Sequence, residues 1–412
     1  MSYSAVSYLR SCCFISIVLA ALFLGRSFLV SAPRSPLSMS ELRTTSAAIA
    51  LTNLNAQIDG EKKLADRAAL SVAQRSSIAD LQAMRGQILG SIADYETVAA
   101  ISEELTRDAP NDGKSYLARS HARSIFHRFG DALVDLDKAE ALGVPQAQIE
   151  TARASILQAS GKYVEALEIR NRALKRNRNM NTLSAAASVY ADLGEIEEAE
   201  KLYGEAPRDY RDVSPFPIAW LYFQQGLMWM HQGDLQRARE FFSNAHERIP
   251  QYAAARGHLA EVEAALGNRG RAVELLEPLA ASSDDPDYAA QLARILLEDG
   301  QIQQAKPWRD RAASRYEQLI TLHPQAFADH ATEFWLAAGA DPLKALQLAR
   351  LNLEVRKTPR AYELVLEAAL AAKDLDSTCK ALGEVSKITH PAPQFKALIT
   401  HAQTACGLER IG

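Results

Sequence analysis

The chain has 412 residues, of which 46 are Lys or Arg and 50 are Asp or Glu, giving a formal net charge of −4. A chain without surplus basic charge lacks the field that attracts phosphates, which argues against nucleic acid as a partner. Apolar residues make up 48% of the chain and charged residues 23%, which excludes a largely disordered protein. Good helix formers, chiefly Ala, Leu, Glu, Arg and Gln, dominate the remainder, and the composition therefore predicts an all-α protein.

The first 34 residues differ from the rest of the chain because they contain an uncharged apolar run. It extends from Cys12 to Gly25 and is flanked by Arg10 and Arg26. This length suits the core of a signal peptide, whereas residues 11–32 would be long enough to span a membrane if Arg26 reached the interface. Pro33 follows a small-residue stretch that resembles a cleavage site, and a proline there favours an uncleaved anchor. The sequence therefore predicts a signal peptide or signal anchor over residues 1–34.

This segment also predicts where the body of the protein lies. Both interpretations place the body beyond a membrane or attach it to one. The chain contains no Asn-x-Ser/Thr sequon, which favours a bacterial envelope over a eukaryotic secretory route, with the periplasmic side preferred. Residues 35–77 follow as a stem or an N-terminal capping helix, in which Leu51, Leu54 and Ile58 share one helical face.

A repeat of about 34 residues occupies the chain from residue 78 onward. Its mark is a turn glycine, or a substitute for it, followed five residues later by alanine. The spacing is 33 or 34 residues, with two longer steps of 39 and 40 that predict a lengthened loop near 203–220 and a lengthened helix near 316–324. The clearest copies are Gly161 with Ala166, Gly194 with Ala199, Gly233 with Ala238, Gly267 with Ala272, and Gly300 with Ala305.

These units resemble tetratricopeptide repeats, whose pattern of Gly, Ala, aromatic, Ala and Pro is matched best by GDLQRAREFFSNAHERIP at 233–250. The resemblance implies a right-handed solenoid of about nine helix pairs over residues 78–391, closed by a C-terminal capping helix over 392–412. It further implies that the first helix of each pair lines a concave groove. Ser120 and Glu333 depart from the pattern, because they occupy positions that the family gives to small residues.

The sequence contains no catalytic motif that could define an enzyme. HExxH, GxSxG, GxxxxGK[ST] and CxxC are all missing from the sequence. His323 and His330 lie seven residues apart, but two histidines without a third ligand are typical of a surface and not of a metal site. We therefore expect no enzymatic activity, no cofactor and no metal.

The resemblance implies which side chains face the groove. Those of the third and fourth pairs are small and hydrogen-bonding, and those of the fifth and eighth are mostly aromatic. This combination predicts a scaffold that binds a peptide or a partner helix. The alternative is a carbohydrate or polymer module of an envelope polysaccharide export system, in which the aromatic residues would stack on sugars. The predicted partner-binding residues are Gln148, Thr151, Ser155, Asn181, Ser184, Ser188, Trp220, Phe223, Met230, His231, Phe327, His330 and Phe334.

Two cysteines near the carboxyl terminus form a candidate disulfide. Apart from the N-terminal segment, Cys379 and Cys406 are the only cysteines of the chain, and an even number invites pairing in an exported protein. Each lies on one of two helices joined by a turn near residues 390–393, which would bring them together. The alternative is a pair of buried thiols in a reducing compartment.

Overall fold

The computed structural model describes residues 42–65, 70–385, 388 and 391–408. Within these residues every long element is an α-helix, and none is a β-strand. The all-α prediction is thereby confirmed. The predicted signal segment over 1–34 lies outside the described residues. Among the helices of the described part, none is both long and apolar enough to cross a bilayer.

Twenty α-helices follow one another along the described chain, with one short 3₁₀ helix at Ala206–Asp209. Their bounds are α1 Ala47–Ala65, α2 Val72–Leu89, α3 Ile92–Asp108, α4 Gly113–Ile125, α5 Phe129–Ala141, α6 Gln146–Ala159, α7 Tyr163–Arg176, α8 Met180–Asp192, α9 Ile196–Glu205, α10 Phe216–His231, α11 Leu235–Arg248, α12 Ala253–Ala265, α13 Arg269–Ser282, α14 Pro286–Glu298, α15 Ile302–Leu322, α16 Pro324–Leu336, α17 Pro342–Val355, α18 Pro359–Ala371, α19 Leu375–Val385 and α20 Pro393–Ala405.

The helices α2 to α19 form nine consecutive antiparallel pairs, from α2–α3 to α18–α19, and each pair packs on the next. Glycines in the left-handed conformation make the turns inside the pairs where the sequence predicted them. Three turns have no glycine, and at these turns His127, Ala340 and Lys373 adopt the positive φ instead. The predicted solenoid of nine pairs is therefore confirmed. The five predicted turn glycines, all with φ between 76° and 90°, are Gly161, Gly194, Gly233, Gly267 and Gly300.

Small residues allow the two helices of a pair to approach each other closely. A Cβ atom built on Gly226 of α10 would lie 2.5 Å from the ring of Phe242 on α11. Ala238 and Ala245 of α11 are fully buried. These positions need small side chains because the backbones cross there, which explains the periodic alanines of the sequence.

The two long steps of the repeat contain the expected insertions. Between α9 and α10 the chain forms the short 3₁₀ helix and then an extended segment that reaches Pro215. The helix α15 has 21 residues, about two turns more than the 13 or 14 of most others. The insertion before α10 also contacts the residues that precede α1, since the Thr45 N–H donates to the Val213 carbonyl oxygen at 2.8 Å.

The helix α1 precedes the nine pairs and packs on α2. Its residues Leu51, Leu54 and Ile58 are buried in the main hydrophobic core, as their shared helical face suggests. The Arg248 side chain of α11 donates to the Leu42 carbonyl oxygen at 2.9 Å, which attaches the start of the described chain to the fifth pair. The solenoid is therefore covered at its N-terminal end.

The N-terminal pairs also contact pairs that lie far along the chain. The backbone N–H groups of Ile92 and Ala93, at the start of α3, donate to the Asp284 carboxylate at 2.7 and 2.9 Å. The Phe126 ring stacks on the His323 ring with 4.0 Å between the centroids. Consecutive turns of the superhelix therefore touch, instead of leaving an open spiral.

These contacts recur at a regular interval. The turns inside pairs one, two and three meet the loops that precede pairs seven, eight and nine. In the third of these contacts, the Lys357 N–H donates to the Ser160 carbonyl oxygen at 3.3 Å. We call this boundary the seam; it consists of residues 90–93, 126–127 and 160–161 on one side and residues 283–284, 323–325 and 357–358 on the other.

A disulfide between Cys379 of α19 and Cys406 at the end of α20 closes the C-terminal end of the solenoid, with 5.7 Å between the Cα atoms. Phe395 and Ala402 of α20 are buried against the ninth pair. The helix α20 therefore covers the last apolar face of the solenoid, and the disulfide attaches it there.

Candidate functional site

A partly open cleft lies between the first helices of pairs six to nine, α12, α14, α16 and α18. First helices of successive pairs lie side by side in a stacked array, so their inward side chains share one surface. The enclosed volume of the cleft, about 50 Å³, has room for a few water molecules or for the end of one side chain of a bound peptide. The lining contains the acidic residues Glu261, Asp287, Glu333 and Glu367 and the basic residues Arg294, His330 and Arg360.

One wall of the cleft is a polar group of three residues on α14 and α16. The Gln291 Nε2 atom donates to the Asp287 carboxylate at 2.6 Å, one turn earlier on the same helix. The His330 Nδ1 atom lies 3.8 Å from the other oxygen of Asp287, which therefore has partners on two helices. Burial lowers the pKa of His330, but the negative charges of Asp329 and Asp287 outweigh it and raise the pKa to about 9. The imidazole is therefore protonated at neutral pH.

Further charged lining residues are Glu333 of α16 and Arg360 and Glu367 of α18. The Arg360 guanidinium pairs with the Glu333 carboxyl group and with Glu363, the latter at 3.1 Å. Burial raises the pKa of Glu333 to about 8, although the positive charges of Arg360 and His330 act against the rise. This carboxyl group therefore retains its proton at neutral pH until another cation approaches.

Behind the cleft, a buried ion pair supports its floor. The Arg356 guanidinium is almost fully buried and lies 2.9 Å from the Asp329 carboxylate. Burial alone would raise the pKa of Asp329, but the charges of His330 and Arg356 lower it to about 2. The His127 Nδ1 atom, across the seam, donates to the Gln325 carbonyl oxygen at 3.1 Å. Burial and the nearby Arg356 charge lower the pKa of His127 to about 3, so the ion pair behind the cleft faces a neutral imidazole at the seam.

The polar residues predicted for the third and fourth pairs are only partly available to a partner. Ser155 and Ser184 are buried, so their assignment to a binding surface is wrong. The Ser155 hydroxyl accepts a hydrogen bond from Arg170 of α7 at 2.7 Å, and the Ser184 hydroxyl donates to its own helix. Gln148, Thr151 and Asn181 are partly exposed, but none of the three lines the cleft.

Ser188 belongs to a second inward polar group, between the first helices α6 and α8. The Gln158 Nε2 atom donates to the Ser188 hydroxyl at 2.6 Å and to the Asp192 carboxylate at 2.7 Å. Burial raises the pKa of Asp192 to about 6, against the effects of the Gln158 hydrogen bond and the Arg356 charge. These side chains already satisfy one another, and they connect neighbouring pairs.

The predicted aromatic wall is mostly core, and this corrects the sequence-based assignment. Phe223 and Met230 of α10 are 1% and 0% exposed, so neither can contact a partner. Phe334 lines the cleft but is only 3% exposed, so it offers little surface to a partner. Trp220 and His231 are partly exposed, but they lie outside the cleft. Large apolar residues on an inward helix fill the space next to the insertion, and the spacing alone does not separate this use from binding.

The other two predicted residues of the eighth pair, Phe327 and His330, differ in whether they line the cleft. Phe327 packs against the core of the first two pairs and does not line the cleft. His330 does line it, in contact with Asp287. Gln291 and charged lining residues such as Arg360 were not predicted from the sequence, because polar and charged side chains on helices usually indicate a solvated face. The irregular Glu333 was the available signal, since a carboxyl group replaces a small residue there.

The described residues contain no cluster of three or more His, Cys, Asp or Glu side chains placed to hold a metal ion. Direct hydrogen bonds and ion pairs within the cleft connect its charged groups to one another. The arrangement supports binding through hydrogen bonds and charge, in a partly apolar recess.

Residues 230–295, from the end of α10 to α14, match the family model described as tetratricopeptide repeat. No curated protein sequence matches the chain. The chain is similar to the solved structure of yeast Tom70, at 14% identity over 89% of this chain and 96% of the other, with a TM-score of 0.37. It is also similar to the solved structure of a human IFIT1 dimer with PPP-AAAA, at 18% identity over 82% of this chain and 78% of the other, with a TM-score of 0.45. A tetratricopeptide repeat protein from Parabacteroides merdae is 18% identical over 73% and 98%, with a TM-score of 0.34.

Proposed function

We propose that this chain is a non-enzymatic scaffold of the tetratricopeptide repeat type, which binds a peptide or a partner helix on the inner face of its solenoid. The cleft between the first helices of pairs six to nine is the observation that carries the proposal. A recess across several successive helices suits an extended segment, since each helix adds contacts to the next part of the ligand.

The composition of the cleft supports a peptide over a polymer of sugars. Apolar residues such as Ala290, Leu336 and Ala338 lie next to the charged groups, which is the mixture found in peptide-binding grooves. Sugar binding would need aromatic rings on an exposed platform, and Phe223 and Phe334 are buried instead. We therefore retain the peptide-binding scaffold and not the polysaccharide module.

We further propose that the body is exported or held at a membrane by the N-terminal segment. The uncharged run from Cys12 to Gly25 supports an anchor or a signal peptide. The disulfide between Cys379 and Cys406 is consistent with an oxidising compartment. Protease treatment of intact cells, followed by treatment after the outer layer is opened, tests the location. Resistance of the body until the cytoplasm is released would contradict it.

Partner capture with a blocked cleft tests the binding function. Ala337→Trp places a large ring at the cleft lining, whereas Val134→Trp adds the same ring to an exposed position on α5. Proximity labelling in native membranes should recover the same partners with the Val134→Trp variant as with the unaltered chain, and should lose them with Ala337→Trp. Equal recovery by all three forms, at equal helical circular dichroism, would remove the cleft from the function.

A further inference from the structure

We propose that the cleft recognises a basic side chain, lysine or arginine, of the bound segment through the Gln291 amide oxygen and the carboxyl groups around it. This inference rests on the proposed function, because it names the ligand chemistry of the same cleft. Three independent features support it. The Gln291 amide has an acceptor without a donor, the guanidinium groups of the cleft already pair with carboxyl groups, and apolar residues line the cleft beside them.

The amide of Gln291 has a fixed orientation and an unused acceptor. Its Nε2 atom donates to the Asp287 carboxylate at 2.6 Å, so the Oε1 atom is directed away from that carboxylate. The side chain is 7% exposed, and its Oε1 atom has no hydrogen-bond partner among the described residues. A buried acceptor without a donor is costly, typically about 1–3 kcal/mol, so a ligand N–H group that reached it would be favoured.

The charges of the cleft select the sign of the ligand. Arg294 pairs with Glu298 at 3.2 Å, and Arg360 pairs with Glu333 and Glu363. Guanidinium groups that already face carboxyl groups offer little to an anion. The lining holds four carboxyl groups, and the protonated one, Glu333, can release its proton when a cation enters, whereas His330 is already protonated and no lining group can gain positive charge beside an anion. The cleft therefore accommodates an added cation better than an added anion.

The apolar part of the cleft suits the stem of a long basic side chain. Ala290, Phe334, Leu336 and Ala338 lie beside the polar group. Lysine and arginine bury their methylene groups along apolar surface and hold the charged end against polar partners. The apolar lining can therefore contact the methylene groups of a basic side chain while its charged end meets the polar group, which a short polar side chain cannot do.

Selection of peptides on the full-length protein tests the inference. A phage library of random dodecapeptides is selected on the purified chain, and only peptides that fail to bind Ala337→Trp are taken as cleft ligands. We expect these peptides to share a lysine or an arginine. Replacement of that residue by norleucine, which retains the stem and removes the charge, should weaken binding at least tenfold by fluorescence anisotropy.

A matched pair of protein variants isolates the amide. Gln291→Met removes the acceptor at nearly unchanged size, and it should weaken the basic peptides about tenfold. Gln225→Met is the control, because Gln225 is also 7% exposed on a first helix but lies outside the cleft. If Gln291→Met lowers the helical circular dichroism, the norleucine comparison still decides, since it leaves the protein unchanged.

The outcomes separate the two proposals. Cleft ligands that lack a basic residue, or that bind equally well with norleucine, would overturn the basic-side-chain inference and leave the scaffold function intact. A selection that yields no peptide sensitive to Ala337→Trp would overturn both. Equal weakening by Gln291→Met and Gln225→Met would remove the amide from recognition.

Discussion

The backbone of Gly161 lies directly against that of Lys357, so a Cβ atom on the glycine would stand 2.5 Å from the lysine carbonyl oxygen. The neighbouring Ser160 carbonyl oxygen accepts a hydrogen bond from the Lys357 N–H at 3.3 Å. Gly161 therefore has two functions: it makes the turn inside the third pair, and it lets that turn approach the loop before the ninth pair.

The double use of Gly161 leads to the first prediction. Gly161→Ala and Gly267→Ala both force alanine into a left-handed backbone, which costs about 1–2 kcal/mol. Only at Gly161 does the new methyl group also meet another backbone, since Gly267 has nothing within 4 Å. We expect Gly161→Ala to lose about 1–3 kcal/mol more stability than Gly267→Ala in urea unfolding. Equal losses would mean that the seam does not form in solution.

The close crossing at Ala238 leads to a second prediction. Ala238 is fully buried on α11, so a larger side chain must displace its neighbours. We expect Ala238→Leu to lower the free energy of unfolding by about 1–3 kcal/mol. Ala281→Leu is the control, because Ala281 is exposed on the second helix α13. If the two variants melted at the same temperature, the assigned register of the repeat would be incorrect.

A third prediction concerns the disulfide between Cys379 and Cys406. When the native protein is alkylated without reductant, mass spectrometry should find both cysteines unmodified. Closing a loop of this length contributes roughly 3–4 kcal/mol in the chain-entropy account, so the double Cys→Ser variant should melt at a lower temperature. Alkylation of both thiols before reduction would exclude the bond and favour a reducing compartment.

The fourth prediction uses the titration of Asp192. Its pKa is raised to about 6 in the folded protein, against 3.8 as the ordinary value, so the folded state binds the proton more tightly. The contribution of Asp192 to stability is therefore full below about pH 4 and decreases as the pH rises to about 6. Asp192→Asn cannot titrate. The melting temperature of the unaltered chain should fall relative to that of the variant between pH 4.5 and 6.5, and an unchanged difference would contradict the assignment.

The repeat and its turns could be predicted from the sequence because they depend on neighbouring residues. Glycine and alanine at fixed spacing determine where a pair turns and where its helices cross, as Gly233 and Ala238 do. Even the turns without glycine agreed with the spacing, although nothing local predicted a positive φ at His127 or Lys373.

The seam and the cleft could not be predicted in the same way. Asp284 accepts hydrogen bonds from Ile92, about 190 residues away, and no periodic pattern connects such positions. Phe223 faces the core because the insertion and α12 fill the space beside it, which depends on packing and not on helical phase. The value of Gln291 as an acceptor likewise follows from its partner Asp287 and not from its residue type.

The seam has a consequence for how the protein unfolds. In a linear array each helix pair contacts only its neighbours, so the terminal pairs fray first and independently. Here Asp284 and Lys357 hold the first and third pairs to the far end of the chain, so the N-terminal pairs cannot melt without releasing pairs seven to nine. We therefore expect the nine pairs to unfold in one cooperative transition, as a globular domain does, and not pair by pair from the ends.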